Sequence, residues 1–163
     1  MIVRNLSEIP TLLERGSCLL GLDYGRKVIG VAVSDPGLCI ASPLVSLMRK
    51  KFAVDAAALA AIITERQIGG VILGLPKNMD GSEGPTAQAV RAFVRNLSKP
   101  GVLPRDDLPL AFWDERLSTS AVERFLIEGD MSRKRRGEVV DKMAAAYILQ
   151  GALDALKFER VRT

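Results

Sequence analysis

Histidine is absent from all 163 residues, cysteine occurs twice and tryptophan once. Without imidazole, a Ser-His-Asp triad, a Cys-His pair and a histidine-bound zinc site are all excluded. Two thiols, Cys18 and Cys39, supply neither a four-cysteine zinc site nor a disulfide framework, and point to a reducing compartment. Long apolar runs are missing too, since no stretch reaches the ~18 consecutive apolar residues of a membrane span. The first fifteen residues are broken by Arg4, Asn5, Glu8, Pro10 and Glu14, unlike a signal-peptide core, so the expected location is the cytoplasm. Chemistry is left to carboxylates, lysine, arginine, hydroxyls, backbone groups and a hard cation held by oxygen.

Apolar residues make up 48% of the chain, and 23 Lys plus Arg against 19 Asp plus Glu give a formal charge of +4. Length and apolar content suit one domain with a sizeable core. The charge suits a polyanionic partner and equally an ordinary basic protein. The chain divides into a lead over 1–17, a single domain over 18–157 and a tail over 158–163. Residues 18–23 read as a strand buried on both faces, joined through a turn at 24–27 to a second strand over 28–34 in a hairpin. Asp35-Pro36-Gly37 is a turn signal, with a less regular third strand within 38–47. An Ala-rich helix over 52–66 ends at Gly69-Gly70 before a strand over 71–75. A polar loop over 76–84, a helix over 87–97 and a strand over 110–113 follow. Two helices, over 118–128 and 138–156, enclose a cationic loop at 129–137. This order predicts an α/β fold with a mixed sheet, its antiparallel hairpin first, flanked by helices.

Three acids stand where core packing does not ask for one. Asp23 ends the most apolar strand, either as a turn residue accepting backbone N–H groups or as a site carboxylate. Glu115 leaves the carboxyl end of another strand, where ligands gather in open α/β sheets, or is a solvated acid beside Arg116. Asp141 shares an i+3/i+4 stripe with Ala144, Ala145, Ile148 and Ala152. The helix dipole, worth about 0.3–1 kcal/mol, favours an acid near a helix start but does not explain one on the apolar face. Three converging carboxylates repel one another unless a cation joins them, and Mg²⁺ or Mn²⁺ is the simplest candidate.

These residues belong to five linked segments: Gly21-Leu22-Asp23-Tyr24-Gly25; Ile29-Gly30-Val31-Ala32 with Ser34-Asp35; Gly74-Leu75-Pro76 with Asn78-Met79-Asp80-Gly81-Ser82; Asp114-Glu115-Arg116-Leu117-Ser118-Thr119; and Val140-Asp141-Lys142 with Ala144-Ala145. In order and spacing they resemble the YqgF family of pre-16S rRNA nucleases, which are similar to Holliday junction resolvases. The resemblance covers Leu20 to Leu156. It implies a ribonuclease H-like fold with a five-stranded mixed sheet, in which Asp23, Glu115 and Asp141 bind Mg²⁺ or Mn²⁺ and catalyse phosphodiester hydrolysis at the 5′ end of precursor 16S rRNA. Val28 departs from it, standing where a basic residue is common.

Candidate substrate contacts surround these acids. Arg26 and Lys27 follow Asp23, and Lys77, Asn78, Gly81 and Ser82 lie in the polar loop. Arg116, Ser118 and Thr119 follow Glu115, while Lys134, Arg135, Arg136 and Lys142 flank Asp141. Each has a bland alternative as a solvated charge or a connector residue. Phe112 and Trp113 read as core rather than base-stacking platforms. The expected partner is nucleic acid, structured RNA or junction DNA, with ribosomal precursor particles and no membrane; no feature fixes the oligomeric state. Competing readings are a Holliday junction resolvase on DNA, a catalytically weak nucleic-acid-binding factor, and an ATPase of the actin and sugar-kinase type, whose phosphate hairpin also places Asp before Gly but which needs two domains.

Overall fold

A computed structural model describes residues 5–114 and 133–162, with side chains of the last helix described over 142–157. The short apolar runs form five strands: β1 (Cys18–Tyr24), β2 (Val28–Ser34), β3 (Ala41–Met48), β4 (Ile68–Leu75) and β5 (Leu110–Asp114). They make one sheet in the order β3-β2-β1-β4-β5. It is antiparallel across β3-β2-β1 and parallel across β1-β4-β5, the mixed sheet expected from the element order. Four α-helices accompany it among the described residues: α1 (Ile9–Leu12), α2 (Phe52–Glu65), α3 (Pro85–Leu97) and α4 (Arg133–Arg162). None is long and apolar enough to cross a membrane.

Strand alternation sorts the core into two layers. Leu20 and Leu22 of β1 join Val71, Leu73 and the apolar faces of α2 and α3. Leu19 of β1, Ala32 of β2, Ile72 of β4 and Ala111 of β5 face the other way, under Ala145, Ile148, Leu149 and Ala152 of α4. All eight residues of β4 are buried, as a parallel strand covered on both faces requires.

Small residues set how closely α4 lies on the sheet. A Cβ on Gly21 would stand 2.7 Å from Leu149 Cβ and 3.0 Å from the Ala145 carbonyl oxygen. Gln150 Oε1 accepts the Ala41 N–H at 2.8 Å and its amide donates to the Cys39 carbonyl at 2.9 Å. Ala41 pairs with Ser34, and the Ser34 hydroxyl accepts the Leu19 N–H, so Gln150 marks the Leu19 end of β1. Since Ala145 lies over Gly21, moving toward the N-terminus of α4 moves toward the Asp23 end of β1.

Several boundaries differ from the sequence expectation. Gly69 and Gly70 lie inside β4 rather than ending a helix, because there is no room for side chains. A Cβ on Gly69 would meet Leu13 Cδ2 and Ser17 Cβ at 2.8 Å, and one on Gly70 would meet Leu19 Cδ2 at 2.9 Å. Residues 133–137, expected in a loop, are helical: Arg-Lys-Arg-Arg has good helix propensity, and one interior glycine costs only about 1 kcal/mol. The same helix carries through the expected tail to Arg162. The lead is docked as well, with Ile9 fully buried among Leu19, Ile72 and the α4 core. The helix expected over 118–128 lies outside the described residues.

The β2–β3 turn is closed by Asp35, whose Oδ1 accepts N–H bonds from Cys39 at 2.8 Å and Ile40 at 2.9 Å. The backbone donors of Ile40 and Cys39 hold this carboxyl below its usual 3.8. A carboxylate with a depressed folded pKa stabilises the fold above its unfolded pKa, and that contribution is lost as pH falls through the folded value. Asp35→Asn is therefore expected to melt at a lower temperature than wild type at neutral pH, with a gap that closes below pH 3.8. Thermal melts of both proteins across acidic pH measure it.

Candidate active site

Strand directions bring the carboxyl ends of β1, β4 and β5 to the same end of the sheet as the start of β2 and the end of β3. The pairings Tyr24 with Ile29, Val28 with Met48, and Leu75 with Asp114 fix this. Asp23 is half-buried at the end of the central strand. It alternates with Leu19 and Gly21 and so belongs to the face under α4, while Tyr24 turns to the opposite face and stacks on Phe93 with ring centroids 4.2 Å apart. Asp114 closes β5 at the same sheet end, two strands from Asp23. Both carboxylates have interactions within the fold.

Neither thiol lies near Asp23. Cys18 begins β1 and Cys39 lies in the β2–β3 turn, both at the far end of the sheet; burial, the largest cause, pushes the Cys18 thiol up. Among the described residues no group of three or more Asp, Glu or Cys is assembled around a point. Of the three expected acids, Asp23 is described in full. Asp141 is described as a backbone position in α4, one turn before Ala145, and Glu115 lies outside the described residues, as do Arg116, Ser118 and Thr119.

Arg26 and Lys27 are exposed on the β1–β2 turn beside Asp23. The turn is tight: the Gly25 N–H donates to the Val28 carbonyl at 2.9 Å, and a Cβ on Gly25 would stand 2.6 Å from that oxygen. Arg49, which the sequence reading did not single out, clamps it. Its Nη1 donates to the Gly25 and Arg26 carbonyls at 3.1 and 2.9 Å, and its guanidinium lies 4.4 Å from the Tyr24 ring centroid. An arginine after a strand carries no sequence signal for such a role. A cleft of about 180 Å³ opens here between Arg26, Arg49 and the first turn of α3, at Pro85 and Thr86.

The 76–84 loop is ordered by its own side chains. Asn78 Nδ2 donates to Ser82 Oγ at 3.0 Å, and the Ser82 hydroxyl and N–H donate to Asp80 Oδ1 at 2.6 and 2.9 Å. Gly81 adopts φ +88°, a left-handed conformation that favours glycine. Lys77 is half-buried at the loop's start. At its end Glu83 accepts a bidentate pair from Arg91 of α3, at 2.6 and 2.8 Å. Hydrogen bonding from Arg91 holds the Glu83 carboxyl down, and the same bond raises the Arg91 guanidinium. Arg91 also covers the Phe112 ring, 4.9 Å from its centroid. Phe112 and Trp113 are thus packing residues, Trp113 lying against the Cα of Gly151, where a Cβ would sit 2.9 Å from the indole. Lys142 is half-buried on α4; the side chains of Lys134, Arg135 and Arg136 fall outside those described.

The family model described as RuvX, Holliday junction resolvase, matches residues 17–155. The chain belongs to the RuvX family. Candidate pre-16S rRNA nucleases from Jannaschia sp. and Cereibacter sphaeroides are each 58% identical to it, over 98% and 96% of this chain and 99% and 94% of their own lengths. In fold, this RuvX-family chain is similar to T. thermophilus RuvC in complex with a Holliday junction substrate, with a TM-score of 0.51 and 12% identity, over 87% of this chain and 96% of that one. The matched span runs from the strand before Asp23 through α4 to Ala155, so it includes all three expected acids.

Proposed function

We propose that this RuvX-family chain is a metal-dependent nuclease that hydrolyses phosphodiester bonds in 5′-end processing of precursor 16S rRNA. The observation that carries the reading is Asp23, a half-buried carboxylate at the end of the central strand, with exposed arginine and lysine on the turn beside it and both thiols at the other end of the sheet. A carboxylate donor set without thiols fits Mg²⁺ or Mn²⁺ and disfavours softer ions. Asp23, Glu115 and Asp141 are the residues that would hold the ion. A bound divalent cation supplies polarisation of the scissile phosphate and acidifies a water at neutral pH, chemistry that needs no histidine.

The remaining residues bind and orient. Arg26 and Lys27 offer exposed cations to phosphates beside the scissile one, on a turn whose shape Arg49 fixes from outside. The 76–84 loop, held to α3 by the Glu83–Arg91 pair, presents a shaped backbone and Lys77 on the β4 side. Arg116, Ser118, Thr119, Lys134, Arg135, Arg136 and Lys142 extend the contacts around the other two acids.

Relatives that share 58% of residues over nearly the whole chain favour precursor rRNA. The description of the family model and the likeness to RuvC favour a second reading, cleavage of four-way DNA junctions. Matched precursor-RNA and junction-DNA substrates incubated with Mg²⁺ or Mn²⁺ separate the two. Cleavage of the RNA alone is expected; cleavage of the junction alone establishes the resolvase, and binding without cleavage of either establishes a non-catalytic factor.

A further inference from the structure

Five exposed cations stand at the β2–β3 corner of the same sheet end: Arg26 and Lys27 on one turn, and Arg49, Lys50 and Lys51 on the next. The two turns are joined, since the Arg49 N–H donates to the Lys27 carbonyl at 2.9 Å and the Arg49 side chain grips Gly25 and Arg26. Among the described residues, no ion pair neutralises any of the five. Asp55, the acid in the first turn of α2, is 5% exposed and its Oδ1 accepts the Lys50 N–H at 3.0 Å, so it organises the backbone there and does not cover the charge.

The placement is costly for stability. Lys51 is the N-cap of α2, an end where the helix dipole disfavours cations, and five like charges on two adjoining turns repel one another. A partner that brings negative charge removes both penalties. Pairing sets Asp23 level with Gly30 and Gly30 level with Ser46, so Lys50 and Lys51 follow β3 two strands across from Asp23 and four and five residues past its level, at the same end of the sheet.

We infer that Lys50 and Lys51, with the clamped β1–β2 turn, form a backbone-binding surface that holds the substrate to one side of the scissile phosphate. The inference rests on the nuclease reading for the substrate class, but the surface acts through charge and needs neither metal nor cleavage. Nothing in it touches a base edge, so it contributes affinity and register without sequence preference.

Fluorescence anisotropy of a labelled RNA duplex, titrated at several salt concentrations in EDTA, tests it. Each phosphate contact contributes about one unit to the slope of log affinity against log salt. Lys50→Gln/Lys51→Gln is expected to reduce that slope by about 2 and to weaken binding several-fold at low salt. A charge-matched control, Lys99→Gln/Lys157→Gln, changes exposed lysines elsewhere and is expected to keep the wild-type slope. An unchanged slope in the first variant, an equal loss in the control, or no binding by wild type in EDTA overturns the inference. The cleavage assay is read separately: cleavage with an unchanged slope removes this surface alone, and a reduced slope without cleavage keeps it while removing the nuclease reading.

Discussion

Asp23→Asn is expected to lower the single-turnover rate of Mg²⁺-dependent cleavage by about 10³-fold or more, because several kcal/mol of cation-derived stabilisation converts at 1.36 kcal/mol per tenfold. The amide keeps the shape of the side chain and one acceptor oxygen but removes the charge that holds the cation. Asp23 is half-buried at a strand end, outside the packed core, so the variant is expected to melt within a few degrees of wild type. Cleavage at the wild-type rate by a folded Asp23→Asn protein would remove the site from β1 altogether. A parallel loss of melting temperature would instead assign Asp23 a structural role.

Gly21→Ala addresses the packing that brings α4 to that site. The new methyl would stand 2.7 Å from Leu149 Cβ and 3.0 Å from the Ala145 carbonyl oxygen, and neither is the movable end of a flexible side chain. Overpacking of this kind costs about 1–3 kcal/mol, occasionally more, and the rigidity of both neighbours puts this site near 3. At ~2–4 °C per kcal/mol for a domain of this size, the melting temperature is expected to fall by roughly 10 °C. Cleavage is expected to fall further than stability explains, because the helix carrying Asp141 must lift from the strand carrying Asp23. Leu149→Ala should not rescue it, since the clash is with a Cβ that alanine retains. A favourable coupling above about 1 kcal/mol in the double variant would show that the outer atoms of Leu149 set the spacing.

The strands were legible because β1, β2 and β4 are apolar runs of fewer than nine residues punctuated by glycine and turn signals, and their order limited the topology to a mixed sheet. Asp23 was legible for the same reason, as an acid ending such a run. Gly69 and Gly70 misled, because the same residue that stops a helix also admits close neighbours in a strand, and only the positions of Leu13, Ser17 and Leu19 tell the two apart. Arg133–Gly137 misled through charge: a cationic run looks like a loop, although arginine and lysine are good helix formers. Arg49 and the Glu83–Arg91 pair were invisible in sequence because their partners are carbonyls, a ring and a residue eight positions away. Such partnerships arise from the fold and follow no local period.

The closing of the second core layer by α4 bears on how the chain matures. Leu19, Ala32, Ile72 and Ala111 are all synthesised before the α4 residues that cover them, which run from Ala145 to Leu156. On a translating ribosome, where amino-terminal segments emerge first, that side of the sheet lacks its α4 cover until residues 145–156 have been made. A chain terminated before residue 141 would therefore lack one of the three proposed acids and expose an apolar sheet face of the kind that invites aggregation. Acquisition of the proposed site and protection from self-association would thus fall together, when α4 docks on the sheet.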